Sequence, residues 1–252
     1  MATKKVGKFE RENAIVESIL NKEEITESDR MQLIAILQAP YHESGKIEGI
    51  QSIDSSAHNC TFCNQMRASK NPDLICHACY DYKLESFREN MKNRHGLQLK
   101  ILSSVLFTGE ELACLPIYTD KFRLDSCGDI ENTTQARNYL RICKSHVRTT
   151  FTLWTKNLVA IRKALELENG KPENLIIIFS DPIINGCGKN DTIFKAFPWI
   201  DYIFMVARKD DVQSFLDMGM NECNGKKCKD CGYKCYIRNA WENHTVIVEK
   251  LR

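Results

Sequence analysis

Apolar positions recur at helical spacing along the first forty residues. Ala14, Ile15 and Ile19 share a face over 8–20, and Met31, Ile34, Ala35 and Leu37 share one over 27–38. Thr26 or Ser28 can cap the second helix, and Pro40 closes it. This pattern predicts a small N-terminal helical extension, residues 1–50, ahead of an α/β domain over 51–252. Another helix-like run goes from Leu84 to about Asn93.

After residue 100 the rhythm shortens. ILSSVLF at 101–107, KFRLDS at 121–126, TTFTLWT at 149–155, NLIIIFS at 174–180 and DYIFMVA at 201–207 are β-prone runs. Helical patterns lie between them, in TTQARNYLRICKSH, NLVAIRKALELENG and the shorter DTIFKAF. Strand and helix alternate at about 25–30 residues, the period of successive βαβ units. Right-handed crossovers between such units build a parallel sheet, open or closed into a whole or partial barrel.

Composition narrows the class. A content of 43% hydrophobic and 27% charged residues is that of a soluble globular protein. Lysine and arginine number 35 against 33 aspartates and glutamates, a net charge of +2, so no general attraction to nucleic acid or acidic membranes follows. The N-terminus has lysines but no apolar core of the secretory kind. The longest apolar runs, LIAIL and LIIIF, are too short to span a bilayer. A cytoplasmic protein without a membrane partner is the expectation.

There are twelve cysteines, four within 60–79 and four within 223–235, with Cys114, Cys127, Cys143 and Cys187 scattered between. In a reducing compartment such clusters point to metal rather than to disulfides. The first quartet, Cys60, Cys63, Cys76 and Cys79, reads C-x2-C-x12-C-x2-C and resembles paired zinc knuckles with a short gap. The second, Cys223, Cys228, Cys231 and Cys235, reads C-x4-C-x2-C-x3-C. Its first part matches an iron–sulfur spacing, with Gly225 and Gly232 to let the chain turn. Lys226, Lys227, Lys229 and Lys234 would offset thiolate charge there. Spacing alone leaves iron–sulfur and zinc equally open at each quartet. His77 reads as a neighbour of the ligands or a solvent-facing residue, and Cys143 as a bystander whose change to serine is nearly neutral. Cys127 and Cys187 are reserve ligands.

Parallel α/β proteins collect functional groups at the carboxyl ends of their strands. Three predicted strand ends carry such groups: Asp125, Ser126, Cys127, Gly128 and Asp129; Thr155, Lys156 and Asn157; and Ser180 with Asp181. Asp129, Lys156 and Asp181 are the candidate catalytic residues. Cys127, Gly128, Thr155 and Ser180 are candidate cofactor-binding residues beside the first quartet. Each also has a plain explanation, since Asp129 can cap a helix, Asp181 before Pro182 can shape a turn, and Lys156 can be solvated.

The stretches ICHACYDY, RLDSCGD, LWTKN and IFSDP and the terminal quartet, in this order, resemble the gene product 88 family of phage and bacterial proteins over about residues 57–238. In that pattern Cys76, Cys79 and Tyr80 take the C-x-x-C-Y position. Gly128 and Asp129 take the Gly-Asp, Thr155 and Lys156 the Thr-Lys, and Cys223, Cys228, Cys231 and Cys235 the terminal cysteines. The resemblance implies a radical-SAM-like partial barrel: a partial TIM-barrel-like parallel sheet with two Cys-rich metal-binding loops. It implies one or two [4Fe–4S] clusters, with S-adenosylmethionine as a candidate second cofactor. Two departures stand out. Cys127 replaces the usual serine, and the C-x-x-x-C-x-x-C loop that leaves one iron free for S-adenosylmethionine is absent from this sequence.

Two functions are carried forward. One is an iron–sulfur enzyme of redox or radical type, acting on a small or nucleotide-like substrate. The other is a zinc-binding nucleic-acid or protein interaction module, with Tyr233 and Tyr236 stacking on bases within the basic loop. A thiol oxidoreductase using Cys76 and Cys79 is weaker, because no clear strand precedes that pair.

Overall fold

The computed structural model of the chain describes residues 7–186, 190–223, 227–238, 240 and 245–251. Its strands are β1 (Gln51–Ile53), β2 (Lys121–Leu124), β3 (Thr150–Thr155), β4 (Leu175–Ser180), β5 (Tyr202–Ala207), β6 (Asn221–Cys223) and β7 (Thr245–Lys250). The helices are α1 (Lys8–Leu20), α2 (Glu27–Ile36), α3 (Thr61–Ala68), α4 (Tyr80–Phe87), α5 (Glu89–Ser104), α6 (Gly109–Ala113), α7 (Thr133–Ser145), α8 (Leu158–Leu167), α9 (Asn190–Ala196) and α10 (Val212–Asp217).

All seven strands pair in parallel in one open sheet, in the order β1-β2-β3-β4-β5-β7-β6. Five strands are laid down in chain order, so each crossover advances the same way. Right-handed crossovers of that kind stack the helices on one face and curl the sheet like part of a barrel. The partial-barrel α/β architecture expected from the sequence is the one observed.

Alternation along each strand divides the faces. Phe122, Leu124, Phe151, Leu153, Leu175 and Ile177 join the helix-side core. Ile176, Ile178, Tyr202 and Ile247 form a separate cluster on the inner face, with Trp154, Phe204, Cys223 and Cys235 against it. The segment 227–238 follows this inner face. Tyr236 is buried against Trp154, and Arg238 donates to the carbonyls of Glu173 and Leu175 near the start of β4. Residues 41–49 join edge strand β1 to β7 and to the segment 227–238, with Tyr41 bridged to Gln51. Lys46 pairs with Glu249 at 2.6 Å, its carbonyl accepts from Cys228 N at 2.7 Å, and Tyr233 OH donates to Glu48 O at 3.0 Å.

Two expectations change. ILSSVLF is not a strand: 101–104 is the end of α5, and Leu97, Ile101 and Leu102 face the core at helical spacing. A short apolar run reads equally well at either period. The helix-like run from Leu84 breaks at Arg88, which separates α4 from α5. In the N-terminal helices, Val16, Ile19, Leu33, Ile34 and Leu37 pack into the same core as residues of β2, β3 and α7.

Candidate metal centre

The chain leaving β1 runs through Asp54, Ser55 and Ser56 into the first C-x-x-C. Cys60 caps α3, its sulfur accepting from Cys63 N at 3.3 Å, and Cys79 caps α4, accepting from Tyr82 N at 3.4 Å. Two of the four sulfurs thus sit at helix N-termini, where backbone N–H groups favour the thiolate. Tyr82 ties the pairs together, with the Arg67 guanidinium 3.9 Å from its ring centroid and the His58 ring stacked on it at 3.9 Å. The loop before Cys76 is latched to the end of β4: Ile75 N donates to Pro182 O at 2.9 Å and Ile184 N to Asp73 O at 2.7 Å.

These contacts gather Cys60, Cys63, Cys76 and Cys79 into one buried group with Phe62, Met66 and Tyr82. Contact with Cys76 and Cys79 pushes the Cys63 thiol up, and the same contacts pull theirs down, Cys79 to about 6. Burial, with Asp129 nearby, pushes Cys60 up to about 12. Lys156 lies against this group. Burial opposes its charge, but Asp129 and the thiols of Cys76, Cys60 and Cys79 outweigh burial and raise its pKa. His77 is exposed and is not part of the group.

Asp129 is the anchor of Lys156. Its carboxylate accepts from Thr155 Oγ1 at 2.6 Å, Ile130 N at 2.8 Å and Lys156 N at 2.9 Å, and stands 3.5 Å from Lys156 Nζ. Thr155 therefore positions the carboxylate, and the helix-capping role falls to Asn132 and Asn157. Gly128 has φ +78° and packs on the Ser55 carbonyl, bringing the ends of β1 and β2 together. Asp181 shapes its own turn by accepting from Ile183 N at 2.9 Å. It follows Ser180 at the half-buried end of β4. The described contacts tie this turn to the Cys76 loop rather than to Lys156.

The second quartet is also gathered. Burial and the neighbouring thiols of Cys223, Cys228 and Cys231 push Cys235 up to about 12. Burial likewise raises Cys228, against the pull of Arg123 and Lys46. Arg123 bears on Cys228 and Cys235 and Lys46 on Cys228, whereas Lys227 and Lys229 both pair with Glu48. Lys226, Gly225 and Cys187 lie outside the described residues. Tyr236 is buried and Tyr233 packs edge-on against it at 6.2 Å, so the loop's aromatic rings turn inward instead of offering a stacking surface. The quartet rests over the inner face of the sheet rather than at the mouth beside the first.

Cys127 joins neither quartet. Its thiol faces Glu85 Oε1 at 3.4 Å, and burial together with Asp81, Glu85 and Asp54 holds it well above the usual thiol range. Glu85 Oε1 also meets His95 Nδ1 at 2.9 Å, and His95 Nε2 faces Asp54 at 3.8 Å. Burial, then Cys79 and Asp54, pushes Asp81 beside them up to about 7. Sequence reasoning had no means of finding Glu85, His95 or Asp54. They come from three separate elements, and no short spacing links them.

The chain matches the family model described as Gene product 88 over residues 21–233. It belongs to that family. The match begins ahead of α2, so the second N-terminal helix is part of the family's pattern, and it ends two residues short of Cys235. Comparison with curated proteins and with solved structures gave no match. No helix among the described residues is long and apolar enough to cross a membrane.

Proposed function

We propose that this protein is an iron–sulfur enzyme of redox type, with its first cluster held by Cys60, Cys63, Cys76 and Cys79 at the carboxyl mouth of the partial barrel. The observation that carries this reading is the gathering of these four thiols in one cluster, with Lys156 and its partner Asp129 beside it. The donor set fits: two sulfurs at helix N-termini, a half-buried ammonium to balance charge, and a loop latched on both sides. Such a cluster supplies one-electron transfer. The chain's own residues hold it, and Asp129 keeps Lys156 charged and aimed, so the mouth can bind the anionic or polar end of a small or nucleotide-like substrate. Cys223, Cys228, Cys231 and Cys235 would hold a second cluster against the inner face.

The C-x4-C-x2-C part of the second quartet has the spacing of an iron–sulfur loop, which is compatible with a polynuclear core there.

The test is anaerobic purification, a visible spectrum, and iron, sulfide and zinc counts per chain. A brown protein with sulfide near iron supports the proposal. A colourless protein carrying only zinc removes it and favours the interaction module, which retention on single-stranded nucleic acid at low salt would then examine. Reductive cleavage of S-adenosylmethionine by the iron-loaded protein separates radical chemistry from plain electron transfer.

A further inference from the structure

We infer that Glu85, His95 and Cys127 form a third metal site, mononuclear and suited to a zinc-class divalent ion, with one coordination position left for water or substrate. The inference does not depend on which metal the cysteine quartets hold.

Three features of the geometry carry it. The first is the donor set: carboxylate Oε1, imidazole Nδ1 and thiol Sγ, all within 4.8 Å of one another and all buried. Oε1–Nδ1 is 2.9 Å and Sγ–Oε1 is 3.4 Å. A tetrahedral ion with bonds of about 2.0–2.3 Å needs edges of about 3.3–3.6 Å, so these two edges need to lengthen by only a few tenths of an ångström.

The second feature is how each ligand is held. Glu85 turns Oε1 to the site while Oε2 accepts from Ser56 Oγ at 3.0 Å and His58 N at 3.2 Å. His95 turns Nδ1 to the site while Nε2 faces the Asp54 carboxylate. Asp54 is itself fixed by Ser126 N at 2.7 Å, Cys127 N at 3.2 Å and Ser52 Oγ at 2.5 Å. At 3.8 Å the Asp54 carboxylate stands just beyond hydrogen-bond reach of Nε2, and closing that gap on metal binding would give the carboxylate–imidazole pair that sets the tautomer of a ligating histidine.

The third is charge. The carboxylates of Asp54 and Glu85 are both buried beside the Cys127 thiol, and buried anions are paired or coordinate metal. His95 is the only basic side chain in direct contact with Glu85 among the described residues. A thiol nucleophile activated by imidazole does not fit, because Cys127 faces the carboxylate rather than the ring. With three protein ligands of mixed type, the site has the open form of catalytic zinc rather than the closed form of structural zinc.

The experiment compares the full chain with Cys127→Ser and His95→Gln, each expressed with zinc, checked for folding by circular dichroism, and counted for metal per chain. Each variant is expected to lose one zinc relative to the parent, with iron, sulfide and visible absorbance unchanged. If a variant does not fold, zinc-edge anomalous scattering from crystals of the parent protein decides, with a peak expected within about 2.0–2.4 Å of the three ligand atoms. Equal zinc in the folded proteins, or a parent map with no peak there, overturns the inference.

Discussion

Gly128 lies directly against the backbone of Ser55: a Cβ at this position would press on the Ser55 carbonyl oxygen and stand 2.6 Å from Ser55 Cβ. The same residue has φ +78°, where an L side chain is strained. Gly128→Ala is therefore expected to destabilise the chain by about 2–4 kcal/mol, strain and steric overlap combined. Chemical denaturation reads this directly, and a cost below about 1 kcal/mol would show that the two strand ends can part without penalty.

Lys156 supplies the cation beside the first quartet. Lys156→Met keeps the aliphatic stem but leaves Asp129 and the thiolates without their counter-charge. Metal affinity at this site is expected to fall about tenfold or more, the usual effect of losing a residue that supports the ligands. Chelator competition measures it. An unchanged affinity with an intact fold would separate Lys156 from the metal site.

Cys143 is fully buried in the helix-side core, not a neutral bystander. Cys143→Ser places a hydroxyl among apolar side chains and is expected to cost about 1–3 kcal/mol without changing metal content. Cys76→Ser and Cys231→Ser are expected to lose metal. Equal metal in all three variants would contradict the assignment of the quartets.

Arg30 donates to Glu111 from Nε at 2.6 Å and from its other end at 2.8 Å, which holds the Glu111 carboxyl below the ordinary range. A lowered carboxyl stabilises the fold above its unfolded value of about 4.3, and that contribution disappears as pH falls through the folded value. Glu111→Gln is expected to be about 1 kcal/mol less stable at pH 7 and equal to the parent in strong acid. Denaturation midpoints across pH 2–7 check the sign; a gap that widens towards acid would reverse it.

Thr152 Oγ1 and Tyr236 OH are buried beside each other and Arg123 on the inner face, short of good hydrogen-bond geometry. Thr152→Val removes one such group at nearly constant shape. Stability is expected to stay level or rise by up to about 1 kcal/mol. A loss above that size would show that the hydroxyl is satisfied in solution.

The strands β3, β4 and β5 and the helices α7 and α8 were legible because each is long enough to show its own period. β1 was not. Its three residues, Gln51, Ser52 and Ile53, include two polar ones that are buried through tertiary contacts, Gln51 bonding the carbonyls of Ala39 and Pro116. The segment 101–107 could not be decided by periodicity, since only packing against α1 and α7 chooses the helix.

By itself the sequence determined the parallel α/β class, the two cysteine quartets and the strand ends carrying Asp129, Thr155 and Lys156. All of these are local signals of spacing and period. Tertiary structure decided that Lys156 faces the first quartet, that Arg123 and Lys46 bear on the second while Lys227 and Lys229 pair with Glu48, and that Cys127 meets Glu85 and His95. Those meetings join residues from separate elements across the sheet. Their energies come from burial and charge in three dimensions, which no short window of the chain contains.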